Sequence, residues 1–253
     1  MAKKKPKVRG TCRLCGREGE LSFEHVPPQK AFNDRPIIAT PFEASVDPQS
    51  GKEYTPLELK EGFGAYSLCH RCNNATGSWY GNGFIRWCQQ GADLLIRSGG
   101  TPTLHYPYYV DALSVIKQII TMFFSVNPVG FAAANDELVD FVLNRHRRYL
   151  SPKYRVFTYY NPSNRFRTMN VAGKLDVNMD TLEVAQMSVF TEISYWPFGY
   201  ILTLDSPPPG RRPFDITHFS RYEYGQYSVT HVLLPTLPPV GPYPGAFDPQ
   251  EAT

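Results

Sequence analysis

Charge is scarce in this chain. Only 19% of its residues are charged, below the usual globular share, which argues against a long solvated tail or a long coiled coil. Long apolar runs are missing too. The most apolar stretch, residues 112–126, is short and broken by Lys117 and Gln118, so no membrane-spanning helix is expected. The basic start is not followed by an apolar stretch, so no secretory leader is read. No Walker A loop, dinucleotide fingerprint or G-x-S-x-G elbow occurs. No internal repeat is found. The expectation is a soluble, cytoplasmic protein. Cysteine is limited to five residues. Four of these form two close pairs, which fits a metal site in a reducing compartment better than a disulfide scaffold.

What is present points to a folded chain. Its 253 residues suffice for one large or two small domains with a real core. The apolar share is 42%, with 16 Tyr and 16 Phe, which excludes a disordered chain. The net charge of +3 is too small to mark a nucleic-acid binder by itself. Basic residues do gather at Lys3, Lys4, Lys5, Lys7, Arg9 and Arg13. They read as a frayed, solvated arm or as a phosphate-contacting one.

Composition divides the chain into a basic arm (1–10), a cysteine-bearing module (11–99), an α+β region (100–237) and a proline-rich tail (238–253). Residues 27–62 hold Pro27, Pro28, Pro36, Pro41, Pro48 and Pro56. They read as a long irregular connection with room for a short hairpin. Loops that long in a compact unit are usually functional or pinned from outside. An interrupted helix is expected from Ala75 towards Arg97, because Gly77, Gly81, Gly83 and Gly91 each cost roughly 1 kcal/mol against Ala. Asp111 is placed to cap a helix running to Ser125, and a further helix is expected from Asp136 to Arg148. Aromatic and β-branched segments predict strands over 154–160, 165–171, 182–190, 200–204 and 227–234. The fold class is therefore α+β, with a mainly antiparallel C-terminal region.

Cys12-x-x-Cys15 and Cys69-x-x-Cys72 are matched knuckles. A two-residue spacer turns both thiolates towards one ion, and two such pairs complete a tetrahedral Cys₄ shell for structural Zn²⁺. Gly16 eases the first turn. The competing readings are two pairs of buried free thiols, or a redox pair, which would want a thioredoxin-like setting that is not seen. Cys88 is left over as a small buried hydrophobe. A zinc staple would close the intervening loop and bring Glu24-His25 beside the segment after Cys72.

That loop begins Leu21-Ser22-Phe23-Glu24-His25-Val26-Pro27-Pro28, and the second pair sits in Leu68-Cys69-His70-Arg71-Cys72-Asn73. The order CxxC, Glu-His-Val-Pro, Leu-Cys-x-x-Cys-Asn resembles the HNH endonucleases that carry a Cys₄ zinc, over about residues 11–80. The resemblance implies a ββα-metal fold and metal-dependent hydrolysis of phosphodiester bonds, in DNA rather than RNA. It implies that His25 is the general base. It implies that Glu24 and Asn73 hold a catalytic Mg²⁺ or Mn²⁺. Imidazole, carboxylate and amide oxygen suit those tasks on their own chemistry.

The chain departs from that family's pattern at three places. Residues 63–67 lack the middle Asn that orients the histidine; Asn33, Asn74 and His70 are the stand-ins the sequence offers. Thr76 occupies the place of a frequent Lys, and Glu24 that of an Asp. The alternative function is a non-catalytic zinc module that binds nucleic acid or a protein partner. Bland readings exist for single residues as well. His25 can be a structural histidine, Asn73 a helix N-cap, and His70 an exposed knuckle residue. Arg145, His146, Arg147, Arg148, Lys153 and Arg155 form a basic cluster, read as a solvated helix end or a phosphate surface. Tyr106, Tyr108, Tyr109, Tyr159 and Tyr160 are read as core residues or as base-stacking platforms.

Overall fold

The computed structural model describes residues 7–39, 57–102, 105–163, 165–178, 180–210 and 213–237. Most of the basic arm (residues 1–6) and the whole proline-rich tail lie outside the described residues. In chain order the elements are β1 (Val8–Thr11), β2 (Glu18–His25), β3 (Ile37–Ala39), β4 (Leu57–Leu59), β5 (Gly64–Cys69), α1 (His70–Arg97), β6 (Tyr106–Asp111), α2 (Ala112–Val126), α3 (Gly130–Ala134), α4 (Asp136–Leu143), β7 (Tyr154–Tyr160), β8 (Arg167–Val177), β9 (Val184–Tyr195), β10 (Phe198–Leu204), β11 (Phe214–Asp215), a 3₁₀ turn (Thr217–Arg221) and β12 (Tyr227–Val232). The fold is α+β. The sheets run β1-β2-β5, β11-β7-β10-β9-β8, β6-β12 and β3-β4, and every one of these strand pairs is antiparallel.

The centre of the molecule is α2. Asp111 caps it as expected, accepting from the Ser114 amide at 3.1 Å, and Asn127 ends it. The expected one-faced helix is buried all round, because α1, β5, the 3₁₀ turn and strands β8–β10 all pack on it. A buried apolar cluster surrounds it and includes Cys12, Leu14, Leu68, Trp87, Phe123, Tyr200 and Leu234. Among the described residues no helix is long and apolar enough to cross a membrane.

The first helix corrects the expectation of an interruption. It runs without a break from His70 to Arg97. Two of its glycines let it pack closely. A Cβ at Gly83 would meet Ser114 Cβ at 2.9 Å, and one at Gly91 would collide with the Phe198 ring. Close packing on α2 and β10 outweighs the low helix propensity. Helix α4 stops at Leu143 rather than Arg148. Strand β6 was not foreseen, because its partner β12 lies far along the chain and no hairpin turn marks the pairing. Within residues 27–62, where a short hairpin was allowed for, β3 and β4 pair antiparallel, and residues 40–56 between them lie outside the described residues.

Burial of α2 strands one charge-bearing group. Lys117 is fully buried. Its Nζ donates to the Asn144 carbonyl at 2.6 Å and lies 4.4 Å from the Phe141 ring centre. Loss of solvent pulls its pKa from 10.5 down to about 7, aided by Arg147. Between those two values the unfolded chain holds a proton that the folded chain has released. Stability therefore climbs as pH rises through that window, by at most about 1.4 kcal/mol per pH unit from this group. Lys117→Met is expected to remove the climb and to raise the urea midpoint most below pH 7. Urea melts between pH 6 and pH 9.5 check this.

Candidate metal centre and the adjoining cavity

The β1–β2 turn carries the first cysteine pair. Gly16 adopts φ +71°, and its amide closes the turn on the Cys12 carbonyl at 2.9 Å, a conformation that favours glycine. The second pair spans the junction of β5 and α1, with Cys69 as the helix N-cap and Cys72 in the first turn. Pairing of β2 with β5 sets Leu21 opposite Cys69, so one sheet brings both knuckles together. All four sulfur ligand atoms lie within 4.8 Å of one another, and Cys15 Sγ to Cys69 Sγ is 3.9 Å. A tetrahedron with arms of about 2.3 Å has edges of about 3.8 Å. The cluster has the size a single zinc ion requires, and none of the four cysteines is in a disulfide.

The electrostatics suit a cation. A hydrogen bond from Cys72 and others from the amides of Leu14, Cys15 and Cys69 pull the Cys12 thiol down to about 4, against desolvation. That same Cys12–Cys72 hydrogen bond, and burial, push Cys72 well up. Burial raises Cys15. The opposed shifts of Cys12 and Cys72 across one hydrogen bond fit thiols crowded closely enough to share a positive ion. Arg13, between the first two cysteines, ties the centre to the core. Its amide donates to the Ser67 carbonyl at 2.8 Å, and its Nη1 donates to the Ser125 carbonyl at the end of α2 at 2.7 Å. Cys88 is buried beside the Tyr200 hydroxyl and takes no part.

Next to the cysteines lies an open cavity of about 320 Å³. Its walls include Phe23, Glu24 and His25 of β2, Asn73 of α1 and Gln118 of α2. The pairing of β2 and β5 slips between Ser22 and Phe23, a bulge that re-aims the end of the strand. On α1 the cavity wall follows the stripe Asn73, Gly77, Gly81, Ile85, one residue every four and therefore one face of the helix. A Cβ at Gly77 or Gly81 would meet nothing within 4 Å. Unlike Gly83 and Gly91, these two glycines have no packing reason, and the space they leave belongs to the cavity.

Each side chain singled out in the sequence has a definite setting. Glu24 is buried. Both of its hydrogen bonds fall on Oε2, from the Ser125 hydroxyl and from Ser67 Oγ at 3.4 Å. Burial pushes its carboxyl up to about 7, with the two serines acting against that rise. Asn73 donates through Nδ2 to Ser22 Oγ at 3.0 Å and to the Phe23 carbonyl at 3.4 Å, clamping α1 to β2 and leaving Oδ1 uncommitted. It is not the helix N-cap, which is Cys69. The His25 ring meets the edge of Phe23, with centroids 5.0 Å apart, and its Nε2 is buried without a partner. Gln118 Oε1 is buried without a partner as well. Each such atom costs about 1–3 kcal/mol unless something meets it.

Other sequence-level candidates lie elsewhere. Asn33 is committed to the backbone, donating to the Pro27 and Phe63 carbonyls at 2.6 and 2.7 Å and accepting from the Phe63 amide at 2.8 Å. Asn74 and His70 are exposed, and His70 faces Glu20 at 3.6 Å. In the basic cluster, Arg147, Arg148, Lys153 and Arg155 pair with Asp140, Glu223, Glu137 and Asp215. Arg145 lies over the rings of Tyr224 and Trp79. The cluster follows the end of α4, and its charge is largely balanced. Tyr108, Tyr159 and Tyr160 are core residues, while Tyr109 is exposed. Sequence reasoning missed Gln118 and Ser125. The signal available was a polar residue set in an otherwise apolar helix, already visible at Lys117-Gln118. Comparison with protein-family models, with curated proteins and with solved structures finds no match for this chain.

Proposed function

We propose that the chain is a metal-dependent endonuclease of the HNH type, hydrolysing phosphodiester bonds in DNA, with β2, β5 and α1 forming a zinc-stapled ββα-metal unit. One observation carries this reading. Glu24, His25 and Asn73, picked out by motif order alone, line a single cavity beside the cysteine cluster. Glu24 Oε1, which carries neither serine hydrogen bond, and Asn73 Oδ1 are hard oxygen donors, the kind Mg²⁺ or Mn²⁺ takes alongside waters and phosphate oxygens. Such an ion, when bound, would neutralise charge on the phosphate in the transition state. His25 acts as general base. It takes a proton from a water whose oxygen attacks phosphorus, and the bond from phosphorus to the leaving oxygen breaks. The exposed Lys30 at the cavity mouth is placed to meet the substrate backbone.

The test is incubation of zinc-loaded protein with supercoiled plasmid, with and without Mg²⁺ or Mn²⁺. Nicking that requires the added ion supports the reading. Salt-dependent binding without nicking in either metal supports instead the non-catalytic zinc module, which the commitment of Glu24 Oε2 to two serines favours. The glycine stripe gives a second handle. Gly77→Ala and Gly81→Ala are each expected to stabilise α1 by about 1 kcal/mol and to raise the Tm by about 2–4 °C. Both are expected to slow nicking, because each places a methyl group in the cavity. Thermal melts and nicking rates on the same samples check the opposed signs.

A further inference from the structure

The cavity holds two unsatisfied buried atoms of complementary kind, and they come from parts of the chain far apart in sequence. His25 Nε2 belongs to β2, and Gln118 Oε1 belongs to α2. We propose that Gln118 is the positioning residue for His25. Its Oε1 accepts the hydrogen bond of the His25 Nε2–H, directly after a small turn of the side chain or through one water, and so fixes the tautomer that leaves Nδ1 free as the base. This rests on the nuclease reading for its catalytic consequence, but not for the hydrogen bond itself.

The assignment follows from what each group can do. A carboxamide oxygen only accepts. Of the two ring nitrogens, Nε2 is the one buried without a partner, and a neutral imidazole carries its proton on one nitrogen only. Placing it on Nε2 gives both buried atoms the partner they lack. The other amide groups near the cavity are taken or wet. Asn33 is held by backbone, Asn73 has Nδ2 on Ser22 and Phe23 and its Oδ1 is assigned to the metal, and Gln29 and Asn82 are exposed. Glu24 is already held through Oε2 by Ser125 and Ser67. Gln118 is 2% exposed, on a helix fixed along its whole length. An acceptor there is preorganised and is not competed for by bulk water. The helical region after residue 99 would thus be part of the site rather than an appendage to it.

The test is long-range ¹H–¹⁵N correlation on histidine-labelled, zinc-loaded protein at pH 8, with His25 assigned from a His25→Gln sample. The wild type is expected in a single Nε2–H tautomer. Gln118→Met, which keeps the volume but cannot accept, is expected to give a tautomer mixture and to slow nicking about a hundredfold. Gln118→Glu, which keeps an acceptor, is expected to retain the wild-type tautomer. Cooperative melting of each variant shows that it is folded. A wild-type Nδ1–H tautomer, or a Gln118→Met protein with unchanged tautomer and rate, overturns the proposal. If the tautomers behave as expected and the wild type does not nick DNA, the hydrogen bond stands and the nuclease reading falls.

Discussion

Chelation of zinc-loaded protein is expected to lower its Tm by more than about 10 °C, at a cost of roughly 4 kcal/mol or more. The cysteine centre is the joint of three elements. Cys12 and Cys15 sit on the β1–β2 turn, Cys69 ends β5, and Cys72 lies in the first turn of α1. Arg13 ties the turn to the core, but Cys15 and Cys69 are only half-buried, and β1 and residues 16–18 are exposed or half-buried, so the staple carries much of the hold. Without the ion, Cys12, whose thiol is pulled down chiefly by the hydrogen bond from Cys72, sits beside Cys72, pushed up by that same bond, and Cys15, pushed up by burial. Cys72→Ser is expected to match chelation, because a neutral hydroxyl is a poor replacement for a thiolate at zinc. Binding must strip protons from thiols whose pKa is raised, so zinc affinity falls as pH falls. The damage is expected to reach the cavity, since Asn73 follows Cys72 directly and its clamp to Ser22 and Phe23 depends on the first turn of α1. Zinc content by mass spectrometry and melts with and without chelator decide the matter. Metal-free protein with an unchanged Tm would remove the staple.

The parts legible in the sequence were those fixed by local rules. Cysteine spacing gave the four clustered cysteines. Asp111 before an apolar run, with Asn127-Pro128 after it, gave α2 almost to the residue. Strand β7 was readable from Tyr154 to Tyr160 because six of its seven positions carry aromatic or β-branched residues that suit a pleated buried surface, only Arg155 being exposed. The failures are equally physical. Four glycines argued against a long α1, but propensity is a local quantity. Contact of Gly83 with α2 and of Gly91 with Phe198 is a tertiary one. Strands β8 and β9 outran their expected ends because they pair with each other along a long ribbon, and exposed residues such as Leu175 and Met187 carry no burial pattern to read. In the site, β2 supplied adjacent residues that a motif can name. Ser125 and Gln118 come from α2 and enter only through packing, which no spacing rule foretells.

His25→Ala is expected to reduce nicking by about 10²–10⁴-fold while moving the Tm by only a few degrees. The two readouts separate the role of a base from that of a structural histidine. His25 meets the edge of the Phe23 ring, and the one hydrogen bond proposed for its Nε2 is the bond to Gln118, so its removal forfeits modest contacts. A histidine kept for the fold would show the reverse, with a lower Tm and little change in whatever nicking exists. The cavity also admits a replacement. Truncation to Ala leaves an imidazole-sized gap against an open space of about 320 Å³, so millimolar imidazole is expected to recover part of the rate in His25→Ala and none in Glu24→Gln. A carboxamide at position 24 removes a negative donor that no added base supplies, and its amide group faces Ser125 and Ser67, which now donate to a carboxylate. Rescue of the histidine variant alone would place proton transfer at residue 25 and charge at residue 24. Equal nicking by wild type and His25→Ala would take the base away from this histidine and leave the cavity beside the cysteine cluster without an assigned chemistry.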